Sequence, residues 1–144
     1  MLTEHFYTVF RVAFDPHRDY PLGSKRPDLV ATPGGIPLAE LTLQGDGVQA
    51  TELRATPATL RLQAEVADAT GRSQLADNLL RAAELAPLPD DTILAIYTAL
   101  RPRRSSAVEL ESWADRLESL GAPLNAELVR DALRVYAARG MLAT

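Results

Sequence analysis

The residues of this chain that could carry out chemistry are few, and their spacing does not assemble a catalytic site. Cysteine is absent from all 144 positions, which excludes disulfides, thiol catalysis and thiolate-bound metals. The two histidines, His5 and His17, lie twelve positions apart and have no neighbouring cluster of metal-ligating residues. We therefore expect neither a histidine-based metal site nor acid–base catalysis by histidine.

The remaining candidates for chemistry have structural interpretations. Asp90-Asp91 could form a carboxylate pair, but neighbouring residues on a helix point in different directions, and both suit the start of a helix. Ser105 and Ser106 have no histidine to serve as a base, so a nucleophilic serine is unsupported. Thr32-Pro33-Gly34-Gly35 lacks the lysine and the spacing of a phosphate-binding loop and predicts a tight turn instead.

One basic cluster, Arg101-Pro102-Arg103-Arg104, lies in a chain whose formal net charge is −4. An acidic balance does not suit binding to the phosphate backbone of nucleic acid. Arginine also forms bidentate contacts with carboxylates and is favoured at the C-terminal end of a helix. The cluster is therefore interpreted as an anchor for a protein interface or as a solvated helix end, with nucleic-acid contact as the third alternative.

The composition predicts a mostly helical protein. Ala and Leu contribute 23 residues each, whereas Val and Ile together contribute 11. The first two residue types favour helices and the last two favour strands. The predicted fold is all-α, a small open bundle of about four or five helices with an irregular, extended N-terminal arm. No apolar run approaches the about 20 residues that span a bilayer, and we expect a cytoplasmic protein.

Three segments are predicted: an N-terminal extension of unassigned role over residues 1–18, an irregular arm over 19–55 and a helical domain over 56–144. Six prolines between residues 15 and 57 forbid long helices there. We expect the arm to lie along another protein, and the alternative is an irregular layer on the chain's own helices. Residues 1–14 hold all three phenylalanines and fit either a packed segment or a short amphipathic docking peptide.

The helical domain carries signals for helix starts and stops. Thr56 followed by Pro57 predicts a helix start, and Ser106 with Glu109 matches a capping box. The other predicted N-terminal caps are Ser73, Asp90 and Asn125, and the predicted stops are Gly71, Pro102, Gly121 and Gly140.

An ordered series of motifs resembles a known family. Asp19-Tyr20-Pro21-Leu22 is followed by Lys25-Arg26-Pro27, and Ile93-Leu94-Ala95-Ile96-Tyr97 leads into Ala99-Leu100-Arg101-Pro102. Together with matches between them and in the terminal helix, this series resembles the small subunit of adenosylcobalamin-dependent diol and glycerol dehydratases over roughly residues 19–139. Arg103 departs from the aromatic residue expected at that point of the family pattern.

The resemblance implies a non-catalytic subunit of a larger enzyme. In that family, large, medium and small chains form a dimer of heterotrimers, and the large chain holds the substrate and the catalytic residues. Adenosylcobalamin is bound by the other subunits and starts a radical dehydration of 1,2-diols or glycerol to aldehydes. The small chain packs mainly on the large one, in the cytoplasm or within a bacterial microcompartment.

The resemblance leaves the residues of the partner interface to be chosen. Tyr20, Pro21, Leu22, Arg101 and Arg104 are the predicted interface residues. No catalytic, cofactor-binding or metal-binding residue is predicted in this chain. The alternative hypothesis is a stand-alone helical interaction or regulatory module related to that subunit.

Overall fold

The computed structural model of this chain describes residues 13–41 and 50–143. Five longer α-helices form the body of the described part of the molecule, and two single-turn α-helices and three short 3-10 helices lie between residues 16 and 53. Residues 13–41 and 50–143 contain no β-strand, only an isolated antiparallel bridge between Ala31 and Pro37. The prediction of an all-α fold is confirmed, whereas the predictions for residues 1–12 lie outside the described residues. In chain order the helices are α1 (Pro16–Asp19), α2 (Leu22–Lys25), α3 (Pro57–Ala69), α4 (Ser73–Leu85), α5 (Asp90–Ala99), α6 (Ala107–Ser119) and α7 (Pro123–Arg139).

Helices α3 and α4 form a pair that packs through small side chains. Thr56 caps α3 as predicted, since its hydroxyl accepts a hydrogen bond from the Thr59 N–H at 3.1 Å. The buried residues between the two helices are Ala64, Ala67 and Ala76, and Leu79 and Leu80 pack beside them. Alanine at the contact lets two helices approach closely, because the separation of helix axes depends on the side chains between them.

Helices α6 and α7 form a second pair around a core of larger side chains. Ser106 and Glu109 make the predicted capping box at the start of α6, each side chain accepting from the other residue's backbone N–H. The buried core consists of Leu110, Ala114 and Leu117 of α6, Ala126 and Val129 of α7, and Leu88, Ile96 and Ala122 from the adjoining segments.

The same turn joins the helices within each pair. Gly71 and Gly121 adopt positive φ angles of 74° and 77°, which glycine tolerates without steric cost. The next helix then begins two residues later in both cases, so that Arg72 and Ala122 take the cap positions. The predicted caps Ser73 and Asn125 are therefore wrong, because each lies inside its helix.

Asp90 was also predicted as a cap and is instead the first residue of α5, preceded by Pro89. Its carboxylate binds Arg54, with Oδ2 at 2.9 Å from Nη2 and Oδ1 at 3.2 Å from Nη1. The pair is exposed on both sides and connects the end of the arm to the start of α5.

The carboxylate of Glu84 joins the two helix pairs. Glu84, near the end of α4, accepts hydrogen bonds from the backbone N–H groups of Leu124 and Asn125, both at 3.1 Å. The buried Asn125 side chain adds a 2.8 Å bond to the same carboxylate and a 3.0 Å bond to the Arg81 carbonyl. Glu84 thereby satisfies donors that the start of α7 leaves unpaired, where a negative charge is also favoured.

Arg130 of α7 holds the outer sides of α6 and α7 together. Its guanidinium contacts Glu111 at 3.0 Å and Asp115 and Glu118 at 2.8 Å each. These hydrogen bonds, with Glu118 the strongest, raise the pKa of Arg130, and the same contact lowers the pKa of Glu118. Arg130 thus neutralises part of the acidic outer face of α6.

Replacing Glu84 by alanine should lower the free energy of unfolding by about 1–2 kcal/mol, because the start of α7 would lose its acceptor. Urea denaturation of the variant and the parent chain measures the difference. Glu65→Ala on the exposed side of α3 is the matched control, with an expected change within about 0.5 kcal/mol. Equal losses in the two variants would contradict the assigned role of Glu84.

Candidate partner-binding surfaces

Two of the groups that the sequence marked for chemistry, Ser105 and Asp90, are engaged in structural contacts. The Ser105 hydroxyl donates to the Ala99 carbonyl at 3.0 Å, and Asp90 binds Arg54. Among residues 13–41 and 50–143, no three His, Asp or Glu side chains come together as a metal site. A separate search of the same residues found no helix long and apolar enough to cross a membrane. The remaining candidates are surfaces that could bind another protein.

The first surface lies on the arm and is organised by Asp19. The carboxylate of this buried residue accepts two hydrogen bonds from Arg18, both at 2.7 Å, and one from the Asp15 N–H at 2.9 Å. Arg26 approaches the same carboxylate at 3.2 Å and also binds Asp28 through two bonds of 2.9 Å. Five charged residues therefore fix the backbone from 15 to 28 around one carboxylate.

The electrostatics of this cluster favour the charged form of Asp19. The hydrogen bond from Arg18 is the largest cause and holds the pKa of Asp19 well below its usual range, although burial opposes the shift. The pKa values of Arg18 and Arg26 are raised, chiefly by hydrogen bonds to Asp19 and Asp28 respectively. These shifts stabilise the charged forms of Asp19, Arg18 and Arg26.

The three predicted interface residues of the arm follow Asp19 directly, and they lie in different environments. Tyr20 is 56% exposed, and a cis peptide bond joins it to the exposed Pro21. Leu22 is buried in the chain itself. With Pro16, Tyr20 and Leu22 line one wall of a groove of about 440 Å³, which we call the arm groove; its other wall includes Val66, Leu75 and Leu79 of α3 and α4.

The arm is folded on itself at the turn that the sequence predicted. The Gly35 N–H donates to the Thr32 carbonyl at 2.9 Å, and the Gly34 N–H donates to the Glu52 carboxylate at 2.9 Å. Hydrogen bonds from Thr32 and Gly34 lower the pKa of Glu52. A Cβ atom at Gly34 would lie 2.7 Å from the Glu52 oxygens, so a side chain at this position would displace the end of the Glu52 side chain. Because Glu52 also belongs to the arm, these bonds hold two parts of the arm together.

The second surface lies on α5, which has apolar residues on two sides. Ile96 is buried in the core and Ile93 packs beside it, whereas Leu94 is 66% and Tyr97 62% exposed. Leu94 lines a shallow depression with Ala95 and Thr98, and Arg104 forms part of its edge. We call this face the α5 surface, defined by Leu94, Ala95, Tyr97, Thr98 and Arg104. The predicted interface residue Arg104 therefore lies beside exposed apolar side chains.

The loop that carries the arginines is fixed by the C-terminal segment. The Arg103 N–H donates to the Met141 carbonyl at 2.7 Å, and the Ala143 N–H donates to the Ser105 carbonyl at 2.9 Å. The Tyr136 hydroxyl donates to the Leu100 carbonyl at 2.6 Å. Arg103 adopts a positive φ of 62°, unusual for a residue with a side chain. These hydrogen bonds thus fix the part of the backbone from which the exposed side chains of Arg101 and Arg104 extend.

Sequence reasoning selected Arg101 and Arg104 as interface residues but did not select Leu94 or Tyr97. The structure shows Tyr97 largely exposed. The signal was available, because Ile93, Leu94, Ile96 and Tyr97 together occupy more of the helix circumference than one buried stripe requires.

Comparisons with known proteins show that the chain is similar to subunits of larger enzymes. The family described as dehydratase small subunit matches residues 16–143. The propanediol dehydratase small subunit of Citrobacter freundii is 48% identical in a match 128 residues long, which covers 86% of this chain and 74% of that protein. The corresponding protein of Salmonella typhimurium strain LT2 is 47% identical with the same coverage of both chains. The resemblance found in the sequence is confirmed, and the chain belongs to the dehydratase small subunit family.

Proposed function

We propose that this chain is the non-catalytic small subunit of a propanediol dehydratase assembly and that it packs on and stabilises the large catalytic subunit. The observation that carries the proposal is the 48% identity to a protein named as such a subunit, over nearly all of the described chain. The exposed apolar side chains on α5 and on the arm support it, because surfaces of this kind mark contacts between proteins.

The proposal assigns the reaction itself to other chains of the assembly. The assembly would be a dimer of heterotrimers that dehydrates 1,2-diols or glycerol to aldehydes. Adenosylcobalamin, held by the other subunits, would supply the radical chemistry when bound. The residues of this chain would contribute binding and stability only, in the cytoplasm or within a bacterial microcompartment.

The organisation of the chain fits a subunit with an attached arm. In the proposed division, residues 1–18 form an extension, 19–55 the arm and 56–144 the helical domain, although α1 crosses the first boundary. Tyr20 and Pro21 would contact the partner because their side chains are exposed. Leu22 would act indirectly, since its buried side chain holds this part of the arm against α3 and α4.

Co-expression with the large and medium dehydratase chains tests the function directly. We expect this chain to be retained through size-exclusion chromatography and the complex to dehydrate propane-1,2-diol after addition of adenosylcobalamin. The complex should lose activity on heating more slowly than the large and medium chains alone. A fully active pair of large and medium chains that never retains this chain would contradict the proposal.

Replacing Tyr20 by alanine should weaken binding to the large and medium chains by about tenfold, the effect of losing an exposed aromatic contact. Biolayer interferometry measures the affinity, and thermal unfolding checks that the fold is unchanged. Val135→Ala, at another exposed apolar position, is the control and should bind normally. Leu22→Ala should instead lower the stability of the arm. Unchanged affinity for Tyr20→Ala would remove Tyr20 from the proposed interface.

The Asp19 cluster predicts that acid weakens the attachment of the arm. Because folding lowers the pKa of Asp19, its stabilising contribution is present above the unfolded pKa of about 3.9 and is lost as the pH falls further toward the folded pKa. Asp19→Asn should therefore be less stable than the parent chain at pH 7, and the difference should shrink below about pH 4.

Urea denaturation at several pH values measures this difference, and Asp77→Asn on the exposed side of α4 provides the control. We expect the control to match the parent chain at every pH. A stability difference between Asp19→Asn and the parent chain that stays constant with pH would show that Asp19 acts through its shape rather than its charge.

A further inference from the structure

The arm groove is an apolar concavity that stays open among the described residues. Its volume is about 440 Å³, and the wall contributed by α3 and α4 includes Val66, Leu75 and Leu79. On its two sides Leu75 is 43% and Tyr20 56% exposed. Apolar side chains left in water forgo the free energy that burial would provide. The groove therefore suits an apolar segment of polypeptide.

The described part of the chain begins beside this groove. Its first residue is Ala13, and Pro16 already lines the groove. Arg18 donates from Nη2 to the Ala13 carbonyl at 2.9 Å, and the Asp15 N–H donates to the Asp19 carboxylate at 2.9 Å. Helix α1 packs on α3, which belongs to the other wall. These contacts fix the point at which residues 1–12 join the described structure at the edge of the groove.

The sequence that precedes Ala13 carries large apolar residues at a regular spacing. Phe6 and Phe10 are four positions apart, which places them on one side of a helix and of a strand alike. Phe14, the phenylalanine that lies within the described residues, is half-buried. Phe10 precedes Pro16 by six residues, which span at most about 20 Å when fully extended. The side chain of Phe10 is therefore within reach of the groove.

We propose that residues 2–12 fold back into the arm groove of their own chain, with Phe6 and Phe10 as the side chains that enter it. The short connection favours this occupant over others, because a segment tethered by a few residues has an effective concentration in the mM range. A second copy or a separate protein has to match that concentration and loses translational and rotational freedom on binding. The contact lies within one chain, so the inference does not rest on the proposed function.

The test measures how often the segment meets the groove in the isolated full chain. The parent chain has no cysteine, so a pair of introduced cysteines supplies the only thiols. One substitution is Thr8→Cys, on the phenylalanine side of a strand, or Val9→Cys, close to the phenylalanines on a helix. The other is Gln63→Cys, at an exposed position that lines the groove. Equilibration with reduced and oxidised glutathione gives the effective concentration of one thiol at the other.

Glu65→Cys in place of Gln63→Cys provides the matched control. Glu65 is exposed on the same helix but two positions further on, so its side chain points about 200° away around the helix axis. At least one of the Gln63 pairs should show an effective concentration about tenfold or more above that of its Glu65 control. Adding Phe6→Gln and Phe10→Gln should lower that Gln63 pair to the control value, because the apolar contact is then removed.

Three results would overturn the inference. Equal effective concentrations in the Gln63 and Glu65 pairs would leave the groove to a partner protein. A Gln63 pair that the two glutamine substitutions do not lower would show that the phenylalanines play no part in the contact. A disulfide-linked dimer, detected by its mass without reducing agent, would assign the groove to the segment of a second copy. The expected product is a disulfide-linked monomer whose reduced form unfolds at the same temperature as the parent chain.

Discussion

The carboxylate of Glu84 at the first turn of α7 is the contact on which the arrangement of the helical body depends. It meets backbone donors that every helix leaves unpaired at its start, and it comes from a different helix pair. The pair α3–α4 and the pair α6–α7 have distinct buried clusters, and Leu85 of α4 packs against the second one. The hydrogen bonds of Glu84 and this apolar contact together determine how one pair is oriented on the other. The arm rests on the first pair and α5 on the second. The contacts of Glu84 therefore influence how the arm groove and the α5 surface are positioned relative to each other.

The buried polar side chains have hydrogen-bond partners, whereas some large apolar side chains are exposed to water. This difference suits a chain that serves as a subunit. Among the described residues, every buried side-chain nitrogen or oxygen has a hydrogen-bond partner. Polar groups buried without partners are costly, and the fold has avoided that cost. The apolar side chains of Leu94 and Tyr97, by contrast, remain in water. Within the described residues the buried polar side chains are thus paired, whereas large apolar side chains on α5 are exposed and available for association.

Local sequence signals predicted much of the fold. The predictions were wrong where contacts between distant residues determine the structure. Thr56 and the capping box of Ser106 were recognised because the interactions span only a few residues. Asn125 was misassigned as a cap because its amide binds a carboxylate some forty positions earlier, a pairing that local spacing cannot reveal. At the candidate interface, charge identified Arg104, and the wide apolar arc of α5 indicated that some of its apolar residues are exposed without showing which ones. A helix that is apolar on two sides gives no periodic signal for which side faces the core.

The backbone of Arg103 has an evolutionary consequence. Its left-handed conformation and its bond to Met141 fix the loop through main-chain atoms, while its side chain is exposed. Selection on the loop therefore acts on whether a residue tolerates positive φ, which β-branched residues do poorly and glycine or asparagine do well. Within that limit the side chain is free to vary. A substitution at this one position can therefore change the charge beside α5 in related chains, while the loop keeps its backbone conformation.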